Sequence, residues 1–166
     1  MAGKVDKFIG LSHVDEEGRG QMVDLTDKKT TLRDAVAVGS VYMKPETLFL
    51  IRERGIEKGD VLAIARVAGI MAAKQTFNLI PFCHNIPLSH VSIEFSLDDA
   101  RSAVEVTAFA STNANTGVEM EALTAVTLAA LTIYDMAKAV DREMKIGDVR
   151  LISKRGGQSG DFHSDS

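Results

Sequence analysis

The segment ALTAVTLAALTIYDMAKAV, residues 122–140, constrains the fold more than any other part of the chain. Wound as a helix it is apolar almost all round. Such a helix must be buried on most sides, by its own core alone or by another subunit as well. The spacing predicts a helix over residues 116–142, the longest in the chain. Thr116-Gly117-Val118-Glu119 at its start has the Thr-x-x-Glu form of a capping box, in which hydroxyl and carboxylate satisfy the first orphan amides. Glu119 thus has a purely local reading, as a cap, beside any role in a site.

Asp135 and Lys138 interrupt the apolar run three residues apart, on neighbouring positions of one face. Two readings stay open. A surface ion pair would contribute a few tenths of a kcal/mol; a buried acid–base pair would have mutually shifted pKa values and mark a functional site. Glu121 and Asp135, fourteen positions apart, share a helix stripe but lie roughly 21 Å apart along the axis. One chain cannot bring both to a single reacting atom. If both function, they serve distant ends of an extended ligand, or two sites assembled from different chains.

The rest of the chain supplies a sheet for this helix. Residues 31–43 are rich in Val and small residues without helical spacing, and read as a strand. Pro45 suits the first position of a short helix that Gly55 ends. Asp60 can cap a longer helix over residues 61–80, which Pro81 stops. VSIEFSL and SAVEVTAFA alternate with period two on either side of Asp98-Asp99-Ala100-Arg101, which predicts an antiparallel hairpin. IGDVRLIS is a last strand. The mixture means α+β, with helices packed on one face of the sheet. Residues 1–20 and 156–166 read as mobile ends, and residues 21–155 as one domain.

Composition narrows the function. The 166 residues fit one domain, and 45% apolar residues suffice for its core. A net charge of −4 argues against a nucleic-acid surface, and 5% aromatics without Trp argues against base-stacking platforms. No run approaches 18 apolar residues, so no membrane span is expected. The single cysteine makes no internal disulfide, and a reducing cytoplasm is the expected setting.

That cysteine lies in Ile80-Pro81-Phe82-Cys83-His84-Asn85-Ile86-Pro87. A zinc site would need three or four ligands, and no second cysteine exists. In an extended segment Cys83 and His84 point to opposite sides, which also defeats a nucleophile–base pair. Cys83 reads as a small buried hydrophobe, whereas His84 can donate to a phosphate. Lys58 stands at the start of the second helix. Adjacent helix starts near 60 and 116 would offer free amides to an anion, with Arg33, Lys74 and Lys154 adding charge. From residue types alone, this amounts to a ligand carrying phosphate.

Four strings together go further. LIPFCHNIPLSHV, TGVEMEALTAVTLAALTIYDMAKAVD, KGDVLAIARVAGIMAAK and LISKRGGQSGDF resemble the cyclic pyranopterin monophosphate synthases, the molybdenum cofactor biosynthesis protein C family. The likeness runs from about Met22 to Phe162 in the expected order. It implies a ferredoxin-like α+β fold and a hexamer built as three dimers, with the active site at the dimer interface. The implied lyase converts 3′,8-cyclo-7,8-dihydro-GTP to cyclic pyranopterin monophosphate and releases pyrophosphate. No cofactor is implied beyond Mg²⁺ that could accompany the substrate triphosphate. Residue by residue, the resemblance implies catalytic roles for Asp135, Lys58 and Lys138. Substrate contacts are implied for Phe82, Cys83, His84, Glu119, Met120 and Glu121, and for the basic Arg33, Lys74 and Lys154. The chain departs from the family in three places: Asn85 follows His84 where Pro is usual, Ala137 stands where Cys is common, and STNANTG lacks a basic residue before Thr-Gly. The rival readings are a silent ligand-binding or assembly module on the same fold, an RNA-binding domain and a metal-dependent hydrolase.

Overall fold

The computed structural model describes residues 17–157 and 160–164. Of the two ends read as mobile, residues 1–16, 158–159 and 165–166 lie outside the described residues. The elements run β1 (Thr31–Tyr42), α1 (Pro45–Arg52), α2 (Val61–Ala73), α3 (Thr76–Leu79), β2 (Leu88–Asp98), β3 (Ala103–Ala114), α4 (Glu119–Ala137), β4 (Lys145–Arg155) and β5 (Phe162–His163). The sheet is antiparallel throughout, in the order β2-β3-β1-β4-β5. Its first four strands and their crossovers follow the β-α-β-β-α-β ferredoxin-like arrangement. The predicted hairpin is β2–β3, with Arg101 N donating to Asp98 Oδ1 in the turn.

Small side chains let helix and sheet approach closely. Ala35, Ala37 and Val41 of β1 and Val104, Val106, Ala108 and Ala110 of β3 point into the core. They meet Ala122, Ala125, Val126, Ala129, Ala130 and Ile133 of α4, all without exposed surface. Gly39 shows how tight the contact is: a methyl group there would lie 2.7 Å from Val126 Cγ1. α4 is the one described helix long and apolar enough to cross a membrane; most of its apolar surface packs on the sheet and on α2, while Leu131 stays half exposed. The expected burial on most sides is met chiefly by small residues.

α2 packs beside α4 through Gly69, where a Cβ would meet Ile93 Cδ1 at 2.3 Å and the Ala125 carbonyl oxygen at 2.7 Å. Further along, Lys58 just before α2 reaches Asp135 near the end of α4. The two helices are therefore antiparallel. Their N-termini lie at opposite ends of the pair, contrary to the expected adjacent helix starts.

Three local expectations change. The helix predicted over 61–80 is two, because Thr76 turns its hydroxyl onto the carbonyls of Ala72 and Ala73 and competes with helix continuation. The helix predicted over 116–142 spans Glu119–Ala137, and its N-cap residue is Val118, with no capping side chain. The capping box does not form because the helix starts at Glu119, later than a Thr116 cap requires, and the Glu119 carboxylate pairs with Lys154, 3.0 Å away. Beyond the other end, the buried Asp141 accepts from the amides of Lys44 and Glu143 and from the Thr47 hydroxyl. Burial works against its charge, but the two amides, the Lys44 charge and the Thr47 hydroxyl together outweigh it and hold its carboxyl below the usual range. Asp141 thus ties α1 to the approach of β4, a role no local pattern signals.

Candidate active site

The first turn of α4 forms one wall of a cavity of about 840 Å³. Glu119, Met120 and Glu121 come from this turn, Arg33 from β1, and Phe82, Cys83 and His84 from the loop after α3. A turn closed by Cys83 N donating to Ile80 O aims that loop at the helix start. His84 Nε2 donates to the Val23 carbonyl at 2.8 Å, which fixes the ring. Burial pushes the Cys83 thiol up, and the charge of Glu121 adds to this. The thiol therefore stays protonated at neutral pH and is no nucleophile. Arg33 Nε donates to Thr31 Oγ1 at 2.8 Å. Gly157, in the left-handed region at φ +94°, lies so close that a Cβ would meet the guanidinium at 2.0 Å.

Glu121 is only 4% exposed. Burial pushes its carboxyl up to about 7; a backbone hydrogen bond opposes the shift and the neighbouring charge of Glu119 adds to it. Near neutral pH it can therefore accept or donate a proton toward the cavity. Glu119 is held instead in the ion pair with Lys154. The cavity thus carries cations, Lys28, Lys29 and Arg33, together with carboxylates, Asp27, Glu119 and Glu121.

The other end of α4 is different. Asp135 lies 2.7 Å from Lys138 Nζ and 3.2 Å from Lys58 Nζ, and Lys58 also donates to the Asp135 carbonyl oxygen at 2.9 Å. All three side chains are about half exposed. Hydrogen bonds from Lys138 and then Lys58 hold the Asp135 carboxyl below its usual range, and Asp135 raises Lys138. Of the two readings open for this pair, the solvent-facing one describes the single chain. Its pKa values move apart rather than toward neutrality, because charge pairing outweighs a small loss of solvation. What spacing did not show is that Lys58 makes the pair a triad.

The sequence-predicted residues therefore form two clusters. Glu119 and Asp135 stand sixteen positions apart on one helix, roughly 24 Å along its axis. Lys74 joins neither: it is the exposed C-cap residue of α2 and does not line the cavity. Asn115, where a basic residue was missed, donates to the Leu25 carbonyl at 3.2 Å. Asn85 is exposed beside a second hollow, and nothing in the structure explains its choice. Sequence reasoning also missed Val23, Lys28 and Lys29; the Lys-Lys pair before β1 was the available signal. Among the described residues no group of three or more His, Cys, Asp or Glu is arranged to hold a metal ion.

A ferredoxin-like sheet with a polar, charge-lined cavity at one helix end and a Lys–Asp–Lys triad at the other defines an α+β domain built to take a small charged ligand. The sequence model of the MoaC family matches residues 22–157, and the chain belongs to that family. A cyclic pyranopterin monophosphate synthase of Chloroflexus aggregans is 57% identical over 162 residues, covering 98% of this chain and 96% of the relative. Synthases of the same name from a Thermoanaerobacter species and from Magnetococcus marinus are each 58% identical. They cover 92% and 94% of this chain, and 96% of each relative.

Proposed function

We infer that the chain is a lyase of molybdenum cofactor biosynthesis that converts 3′,8-cyclo-7,8-dihydro-GTP to cyclic pyranopterin monophosphate with release of pyrophosphate. The observation that carries this is identity of 57% or more, along nearly the whole chain, to relatives named for that synthesis. The direct experiment supplies the cyclised GTP derivative and measures pyrophosphate and cyclic pyranopterin monophosphate together. Absence of both products with well-folded protein overturns the reading.

In this scheme Asp135, Lys58 and Lys138 move protons to and from ring nitrogens and sugar oxygens. Phosphate closure has a sugar hydroxyl attack the α-phosphorus. The new P–O bond forms as the bond to the leaving pyrophosphate breaks, and the hydroxyl proton passes to a base. His84, Arg33 and Lys154, with Lys74 brought in by a second copy, hold the triphosphate and the charge that develops there. Glu119 and Glu121 accept from the N–H groups of the guanine-derived ring, between walls of Phe82, Cys83 and Met120. No resident cofactor takes part; Mg²⁺ enters only as a companion of the substrate triphosphate. The reaction belongs in the cytoplasm, where the lone thiol stays reduced.

Two clusters on one helix can serve one substrate if a second copy supplies the other half. An apolar stripe on α2 supports this: Ile64, Val67 and Met71 are about half exposed, at the three-and-four spacing of one helix face. Covering the triad with a partner would also desolvate it, moving Asp135 up and Lys138 down, toward neutrality. The expected assembly is a hexamer of three dimers with the site at the dimer interface. Chains carrying Glu119→Gln and chains carrying Asp135→Asn should each be inactive alone. Refolded together they should regain about a quarter of wild-type activity, since random pairing restores one of two sites in half the dimers. No recovery would refute the shared site while leaving the reaction itself standing.

A further inference from the structure

Residues 22–29 form a strap without regular helix or strand, and the strap divides two hollows. Val23, Leu25, His84 and Ile86 line both the larger cavity and a second one of about 520 Å³. Neither Val23 nor Leu25 belongs to the core. Two side chains from the body of the domain reach the strap backbone: His84 bonds the Val23 carbonyl, and Asn115, just past the end of β3, bonds the Leu25 carbonyl. The Lys28 amide shares that second carbonyl at 3.0 Å, and Asp24 accepts from the amide and hydroxyl of Thr26. The chain turns there and brings Lys28 and Lys29 to the wall of the larger cavity. Asn115 lines the second hollow but not the larger cavity, and its side chain bonds the strap.

We propose that the 22–29 strap is a clasped cover over the polyphosphate end of the substrate, with Lys28 and Lys29 as its phosphate-binding groups and Asn115 as the residue that positions them. This rests on the proposed reaction for the identity of the polyphosphate. A lysine is a point charge on a flexible stem and places its charge only as well as its backbone is placed. Two clasps on alternate carbonyls hold that backbone before substrate arrives, so less order must be imposed on binding.

Asn115→Leu and Asn115→Asp keep the size of the side chain and remove its donor. Trypsin cuts after Lys28 and Lys29, so strap opening can be read directly as nicking. Both variants should be nicked about fivefold faster than wild type, the weight of one lost hydrogen bond. They should show a KM raised by about the same factor with kcat little changed, which is the signature of lost binding rather than lost chemistry. Inorganic tripolyphosphate should slow nicking of the wild-type chain and do so less in the variants. Equal nicking rates, equal protection, or a fall in kcat at constant KM in folded variants would overturn the proposal. A wild-type chain that forms no product, yet is protected by tripolyphosphate in an Asn115-dependent way, would leave the strap standing and remove the proposed reaction.

Discussion

The two ends of α4 hold carboxylates in opposite states. At the N-terminal end Glu121 is buried in a cavity wall and its carboxyl is pushed up to about 7. At the C-terminal end Asp135 faces solvent between two lysines, and its carboxyl is pulled down. One helix thus carries a walled charged cluster at one end and an open one at the other. Enclosure accounts for the difference: in one chain, the cavity has walls from β1, the 80–87 loop and the strap, whereas the triad has none over it.

The strongest test strikes the open end. Asp135→Asn should lower turnover by about 10²–10⁴-fold, the usual weight of a positioned acid or base, with circular dichroism and thermal midpoint little altered. Near-normal turnover would leave the triad as surface electrostatics only.

Glu121 gives the next largest effect, through pH. Its folded pKa lies above its ordinary value, so between about 4.5 and about 7 the folded chain binds more protons than the unfolded one. Stability must therefore fall as pH rises through that window, by roughly 3 kcal/mol at most. Glu121→Gln should flatten the fall: little change against wild type below pH 4.5, and clear stabilisation at pH 8 in urea unfolding. Asp135 has the opposite slope, its contribution being present above the ordinary carboxylate range and lost as pH falls through its lowered value. Matching pH profiles for the two variants would erase the contrast between the ends.

Gly69→Ala probes what connects them. The added methyl would press on Ile93 and on the Ala125 carbonyl, at a cost of about 1–3 kcal/mol in denaturant unfolding. Because this contact sets the spacing of α2 and α4, turnover should fall along with stability. The smallest effect is ionic. Since the triad is exposed in the single chain, its hold on Asp135 should weaken with salt, while the pH dependence from buried Glu121 should not. Titration of the two carboxyls by NMR at low and high salt checks both.

Wherever the determining interaction is local, the fold was legible. Period-two alternation marked both hairpin strands, Pro45 marked the start of α1, and Asp60 caps α2 through Ala63 N as its position predicts. The Lys–Asp–Lys triad was half legible: three-residue spacing put Asp135 beside Lys138, but nothing near Lys58 in sequence says that it reaches across to join them. The errors arose where a distant residue outbid a local one. The Thr-x-x-Glu box failed because the helix begins at Glu119, whose carboxylate pairs with Lys154, thirty-five positions on. β5 escaped notice because two residues, Phe162 and His163, carry too little pattern to show and pair with β4 only in the folded sheet.

By itself, the amino-acid sequence determined the order and type of the elements, the small-residue helix that must sit on the sheet, and the chemical strings that tie the chain to its family. Those properties follow from side-chain period, volume and identity, which are set residue by residue. Tertiary structure alone decided that α2 runs antiparallel to α4, which Lys pairs with which carboxylate, and that residues 22–29 wall the cavity. It also decided that one carboxylate is raised while another on the same helix is lowered. Solvation and charge pairing depend on what the folded chain brings within a few ångströms, and distance along the sequence does not set that distance.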